Sequence, residues 1–472
     1  MPQQSKVTYR ASDVDVEFFE LLAPSGTFNI LPQLLSFNMF EDIYSPNINI
    51  EIGINDSANI PFLGPIVGEE MLNFRFATNS SGGGIDSQAE IDPGDMYLTT
   101  IKKRSIAKDR QQIYVLRFTS SQGIINHTTR VSKSYRGKRI DQIVEDIVDS
   151  FLDLDGQYDY NIDKTKGLEN IVIPNWTPFA AISWLSKRAI NDNDVPNFLY
   201  WESNGEVFFK SIDSLVQNEP IQKFRYNPLS NDTTKLEAAK AGVMELDNLS
   251  IDNQFNVIHN IDNGYYASKL ITHDIVKKKI EESVKGLDDF YNSNVNHTDE
   301  YMPISNQETA YQVADRYNFA KPLEPKRKSE NLQGFFDSNT IVWPKHNQMY
   351  AETVSDLYDN KVEDWMLQRN MLMNTLNQIK LTIEFPAVSG LKVGHMVEII
   401  VPAATKVLKD AKGKIKNRDD LTDKILSGKY LITAINHSIS FIDKTTTNRY
   451  RMICELTKDG IGSPIAGGDL KE

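Results

Sequence analysis

The chain of 472 residues contains a single cysteine, and one thiol cannot close an internal disulfide, so packing and subunit contacts must hold the fold. Cys454 stands in a strand-like run with Met452, Ile453 and Leu456, which reads as a buried structural thiol and not a reactive one. No apolar run approaches the roughly 20 residues that a bilayer span needs, and Met1 to Arg10 is polar, without the apolar stretch of a signal peptide. Synthesis and folding in a cytoplasm are therefore expected. A basic surplus is missing too: the net charge is −13, which disfavours tight, general binding to nucleic acid, because phosphate contacts need clustered lysine and arginine.

Motifs of small-molecule chemistry are equally sparse. The seven histidines, at 127, 259, 273, 297, 346, 395 and 437, show none of the close pairing that a zinc site needs. There is no Walker loop, no G-x-G-x-x-G behind a strand and no G-x-S-x-G elbow. Ser80 to Gly84 reads as a flexible loop tip, with no helix start behind it to cradle a phosphate. No cofactor, no metal and no catalytic residue is expected.

What is present is a globular composition, 40% hydrophobic and 24% charged, in a length that suits about three domains. Up to about Val131 the pattern is strand-like: Ser12 to Leu22, Phe28 to Phe40, Ile48 to Ile54, Glu70 to Ala77, Tyr97 to Ala107 and Gln111 to Ser120, with a hairpin turn over Ala107 to Arg110. Ile48, Ile50, Ile52 and Ile54 alternate with polar residues and glycine, the signature of a sheet with one buried face. Residues 217–243 have few large apolar side chains and read as a surface connector; strands and short helices resume from Met244 to Ile280. Lys321 to Lys328, basic and interrupted by proline, suggests an extended linker. From Ala351 to Leu376 a helix is expected, because Tyr358, Val362, Trp365, Met366, Leu372, Met373 and Leu376 share a face. Four strands follow: Gln378 to Phe385, His395 to Val401, Lys429 to Phe441 and Asn448 to Thr457. A basic insertion, Lys406 to Arg418, reads as a solvated loop or as a contact for an acidic neighbour.

The middle of the chain is the most legible. Over Tyr135 to Leu154 the residues Ile140, Ile143, Val144, Ile147, Val148, Phe151 and Leu152 recur at helical steps, and Gly156 stops the run. Thr177 followed by Pro178 announces a second helix, since proline at its first position lacks only an N–H that would be unpaired anyway; Phe179, Ile182, Trp184, Leu185 and Ala189 supply its buried side. Phe198 to Trp201 and Val207 to Phe209 then read as a hairpin across Glu202-Ser-Asn-Gly-Glu206.

This succession, a Trp-Thr-Pro helix start, a Trp-Leu-Ser helix and an aromatic hairpin around Asn-Gly, resembles the baseplate central hub proteins of contractile-tailed bacteriophages and the first part of type VI secretion spike proteins. The likeness is strongest over residues 98–215. It implies an α+β, β-rich multidomain chain: a first tube-like β-barrel domain over 1–131, an inserted helix-helix-hairpin α/β unit over 132–216, a connector with further strands and helices over 217–350, and a second tube-like β domain over 351–472 that ends in a flexible tail. It also implies a non-enzymatic homotrimer, a pseudo-sixfold ring at the virion tail baseplate. That ring would contact the tail tube or its initiator, a separate central spike protein, and the tape measure and wedge proteins. A glycine-rich tail and no spike repeat follow Thr457, which is why the spike is expected as a separate chain. DNA would pass transiently, and an acidic surface would let it slide without adsorbing. The alternatives are the hub of a type VI secretion or tailocin particle, and a tail-associated peptidoglycan hydrolase.

A hydrolase would need paired carboxylates. Glu145-Asp146, Asp153 with Asp155, Asp288-Asp289 and Glu363-Asp364 qualify by spacing but read as solvated helix faces or loop tips. The aromatics Trp176, Trp184, Tyr200, Trp201, Phe208 and Phe209 read as the core of the central unit.

Overall fold

A computed structural model of the chain describes residues 14–78, 89–108, 111–152, 159–227, 243–275, 278–287, 296–300, 336–345, 362–376, 378–403, 422–441 and 449–462. The fold is α+β and β-rich, built on one fifteen-stranded sheet with a few helices. Eight of its strands come from the N-terminal region and seven from residues 222–458; the two groups are joined where Leu34–Asp42 pairs antiparallel with Gly428–Ser440, from Ser36 opposite Ser440 to Asp42 opposite Ala434. This seam makes one sheet out of two regions that stand some 400 positions apart in sequence.

The strand expectations hold closely, because alternation sets both element and register. Ile48, Ile50, Ile52 and Ile54 all face the core, three of them within Asn49–Asp56. The single strand expected over Phe28 to Phe40 is divided: Gly26–Asn29 and Leu34–Asp42 flank a short 3₁₀ turn, Leu31–Gln33, since Pro32 has a fixed φ and no N–H for a ladder. The surface connector expected over 217–243 is corrected in its first part. Gln222–Tyr226 is a strand inside the sheet, parallel to Val243–Leu246 on one side and to Met396–Ile400 on the other, and Phe224 is buried. The four C-terminal strands are Ile379–Pro386, Met396–Ile400, Gly428–Ser440 and Arg449–Lys458. Cys454 lies on the last of them, fully buried, and burial pushes its thiol pKa far up.

The central unit has its own core, running from Val131 to Phe209. Tyr135 to Lys138 belongs to a strand, Val131–Lys138, and not to the helix, which starts at Ile140: Val131 and Tyr135 turn inward with strand spacing, and the Gln142 side chain accepts from the Arg139 N–H (3.2 Å) to fix the start. The second helix, Pro178–Ser186, begins as read, with Thr177 Oγ1 accepting from the Ala180 N–H (3.4 Å). Trp176, Phe179 and Trp184 differ from expectation: they pack at the margin of this core, half-buried, with Arg188 over the Trp184 ring at 4.1 Å.

The hairpin, Phe198–Ser203 with Glu206–Ser211, turns at Asn204 (φ 44°) and Gly205 (φ 75°), the left-handed pair that a tight hairpin requires. Its two faces serve different cores. Phe198, Tyr200, Val207 and Phe209 enter the core of the central unit, whereas Leu199, Trp201 and Phe208 enter the core of the large sheet, with Trp201 stacked on Phe208 (5.1 Å). A further three-stranded sheet, Ala267–Asp274 between Lys279–Gly286 and Thr340–Lys345, is covered by the helix Val362–Thr375, the described part of the one expected from Ala351. Outside the described residues lie the loop tip 80–84, the turn residues 109–110, Gly156, the linker 321–328, the basic insertion 406–418 and the tail from 463.

Candidate functional site

Where the hairpin tip meets the seam, a group of acids, hydroxyls and an imidazole is enclosed. Glu41 ends the inward row Phe37, Met39, Glu41 of Leu34–Asp42; His437 stands between Ile435 and Ile439 on the inward row of Gly428–Ser440. Both are placed by the same alternation that buries their apolar neighbours. Glu41 Oε2 accepts from Ser203 Oγ (2.7 Å) and Oε1 from the Asn204 N–H (2.8 Å), so the turn of the hairpin is held by a carboxylate of the sheet. His437 Nε2 lies 3.7 Å from Glu41 Oε2, and its Nδ1 meets the Tyr450 hydroxyl at 2.6 Å. Burial alone raises the pKa of Glu41, but His437, the Ser203 hydroxyl and the Asn204 N–H outweigh it and hold the group below the usual carboxylate value.

Glu202, one residue away and on the opposite face of the hairpin, faces a different shell. It accepts from Ser120 Oγ (2.6 Å) and from the Ile48 N–H (3.1 Å), while Tyr200 donates to Gln122 beside it (2.8 Å). Burial pushes its pKa up to about 7, against the pull of Ser120, Gln122 and Ile48 and with the Glu41 charge adding to the rise. The two carboxyls thus differ: one is kept ionised by partners, the other is neutral at mildly acidic pH. Around this centre Asn204 also spans to Asp92 and Glu90, and Lys392 reaches Glu206 (2.6 Å).

Two further clamps tie the central unit in place. Arg369, on the helix Val362–Thr375, fans its guanidinium over the carbonyls of Ser186 (3.1 Å), Pro196 (2.8 Å) and Phe198 (3.2 Å), and burial pushes it down to about 10. The segment Asn296 to Glu300 acts as a strap: Asn296 donates twice to Asp213 Oδ1 (2.9 and 2.8 Å), and Thr298 donates twice to Asp459 Oδ1 (2.8 Å each).

Acid, imidazole and hydroxyl in contact are the parts of a hydrolase, but Glu41, Glu202, His437 and Tyr450 are each no more than 2% exposed, so no substrate reaches them in this form. What the arrangement does chemically is tie a three-way junction together by buried hydrogen bonds, leaving Glu202 Oε1, Gln122 Nε2 and His437 Nε2 without one among the described residues. Of the acid pairs read as solvated faces, Glu145 is exposed as read, whereas Asp146 and Glu363 are half-buried and paired. Asp146 takes Lys133 (2.7 Å) and the Tyr135 hydroxyl (2.7 Å), and Glu363 takes Lys345 (2.8 Å) and Thr272 (3.1 Å) against the three-stranded sheet. Asp153, Asp155, Asp288 and Asp289 lie outside the described residues. Among the described residues no three His, Cys, Asp or Glu side chains gather to hold a metal, and no helix is long and apolar enough to cross a membrane. Sequence reading missed Glu41, Glu202 and His437. The signal for two of them was available, a charged residue on the apolar row of an alternating strand.

No protein-family model matches the sequence, and no curated protein does. Solved structures do match. A tail protein from Neisseria meningitidis MC58 superposes with a TM-score of 0.50 at 10% identity, over 94% of this chain and 97% of that one. The 43 kDa tail protein of prophage MuSo2 from Shewanella oneidensis gives 0.48 at 10%, over 95% and 100%. The Escherichia coli c3393 protein, a component of the type VI secretion system, gives 0.38 at 11%, over 96% and 79%. At such identities the likeness concerns architecture, and along nearly its whole length this chain has the fold of the Neisseria tail protein.

Proposed function

We propose that the chain is a non-enzymatic baseplate hub of a contractile tail: three copies close a pseudo-sixfold ring that joins a hexameric tail tube to a trimeric central spike and lets DNA through. The observation that carries this reading is the seam, which fuses two β regions edge to edge and so lets one subunit supply two consecutive segments of a ring. The full-length likeness to a tail protein supports the same role. In this reading residues 1–131 form the first tube-like domain and 132–216 the inserted unit; 351–472, joined by the strands between Gln222 and Asn253, form the second, and the rest of 217–350 is the connector. The partners are a second and third copy, the tube or its initiator, a separate spike, and the tape measure and wedge proteins, in the virion baseplate.

Negative-stain imaging of the purified chain tests it: a ring of three-fold symmetry with a central channel is expected. A stable monomer at micromolar concentration, with and without spike protein, would overturn it. A muralytic assay on the same sample separates the hydrolase reading, and no clearing is expected.

A further inference from the structure

The ribbon of the central unit leaves one edge of a strand without a neighbour. Val131–Lys138 pairs with Glu169–Trp176 along one side, and among the described residues no strand lies along the other. Its orientation follows from Pro174, which has no N–H to give and stands opposite Ser132 in the unshifted register that runs from Tyr135 opposite Ile171 to Ser132 opposite Pro174. By alternation the backbone groups of Ser132 and Ser134 face the open edge.

Along that edge runs a groove of about 450 Å³. One wall is the strand from Lys133 to Lys138; the other is the outer face of the helix Ile140–Phe151, with Gln142, Glu145, Asp146 and Asp149. Lysines often guard open edges. Here Lys133 is folded down onto Asp146 (2.7 Å) and over the Tyr135 ring (5.4 Å). Asp146 is thereby neutralised, whereas neither Glu145 nor Asp149 is in an ion pair with a described residue, and Asp149 Oδ1 is enclosed with no hydrogen-bond partner. Glu145 and Asp149 stand four residues apart on the helix, about 6 Å along its axis. Alternate side chains of an extended strand recur every 6.6–6.8 Å or so, which is about the same spacing.

We propose that this groove binds an extended segment of a partner protein, which adds as a strand to the open edge of Val131–Lys138 and sets lysine or arginine side chains, at alternate positions, against Glu145 and Asp149. Main-chain bonds to Ser132 and Ser134 supply affinity and the acidic helix wall supplies selectivity.

The test uses the full chain and a labelled, end-capped peptide, Val-Thr-Arg-Thr-Arg-Thr-Val, read by fluorescence anisotropy. Saturable binding is expected, with a peptide of the same composition but adjacent arginines bound about tenfold more weakly, and with the double variant Glu145→Lys, Asp149→Lys losing about as much or more. Ser134→Pro removes an edge N–H without touching the paired side and is expected to abolish binding with the melting temperature kept. Should that variant fail to fold, amide exchange in the unaltered chain replaces it, with the Ser132 and Ser134 amides slowed by the peptide. Absence of binding, equal binding of the two peptides, unchanged binding to folded Ser134→Pro, or no slowing at those amides would each overturn the proposal.

Discussion

Replacing Glu41 by glutamine isolates what the ionised carboxylate contributes to the junction. The side chain keeps its shape, but one of its two oxygens becomes an N–H₂ that faces a donor, either Ser203 Oγ or the Asn204 N–H. One buried donor left unpaired costs about 1–3 kcal/mol, and a hydrogen bond to an ionised carboxylate is roughly twice as strong as one to a neutral amide, so a loss of roughly 2–4 kcal/mol is expected for this gentle change. Glu202→Gln is the internal control. Glu202 binds a proton in the folded state up to about pH 7 and in the unfolded state only to about 4.5. Its folded pKa is raised, so folding takes up a proton between those values, and stability contributed at low pH is lost as pH rises across that window, by up to about 3 kcal/mol. Glutamine cannot ionise and matches the neutral acid, so Glu202→Gln is expected to be nearly silent at pH 5 and to stabilise at pH 8. Differential scanning calorimetry at the two pH values reads both, with a drop of roughly 5–10 °C for Glu41→Gln in the cooperative unit containing the seam. Equal shifts for the two variants, or a Glu202→Gln profile parallel to that of the unaltered chain, would refute the assignment of one charged and one neutral carboxyl.

Trp201→Ala, which empties a fully buried site stacked on Phe208, is expected to cost about 3–5 kcal/mol and most of the soluble yield. Trp184→Ala removes only a half-buried ring between Trp176 and Arg188, so a loss of about 1–2 kcal/mol is expected by denaturant titration; an unchanged midpoint with one partner no longer attaching would make Trp184 a docking residue. Arg369→Met is expected to loosen the contact between the helix Val362–Thr375 and the central unit, seen as faster amide exchange near Ser186 and Phe198; unaltered exchange would show that other contacts suffice. Under the hub reading the channel is lined by acids, and a lumen lined mainly by lysine and arginine in an imaged ring would remove that expectation.

Much of this architecture was legible because its causes are local. Alternation over Asn49–Asp56 and over the last four strands fixed both element and face, and Thr177-Pro178 and Asn204-Gly205 marked a helix start and a turn by backbone chemistry alone. Illegible features have causes at long range. Gln222–Tyr226 is too short and too polar to announce a strand, and only its two parallel neighbours make it one. Glu41 and Glu202 acquire their roles from Ser203 and from Ser120, more than 80 positions away in each case, and no window of sequence contains both partners. That the aromatic hairpin is a wall between two cores also lay beyond reading, since each face looks apolar until one knows what stands opposite.

The seam has a consequence in time. Leu34–Asp42 is synthesised early, yet its partner Gly428–Ser440 leaves the ribosome almost 400 residues later, which at about 5–20 residues per second is a delay of roughly 20–80 s. Through that interval Leu34–Asp42 is paired with Asn49–Asp56 on one side only and Glu41 lacks His437, so the N-terminal sheet keeps an open edge until Gly428–Ser440 has been made. A product truncated before Gly428 keeps that open edge for good, which marks it for aggregation or proteolysis.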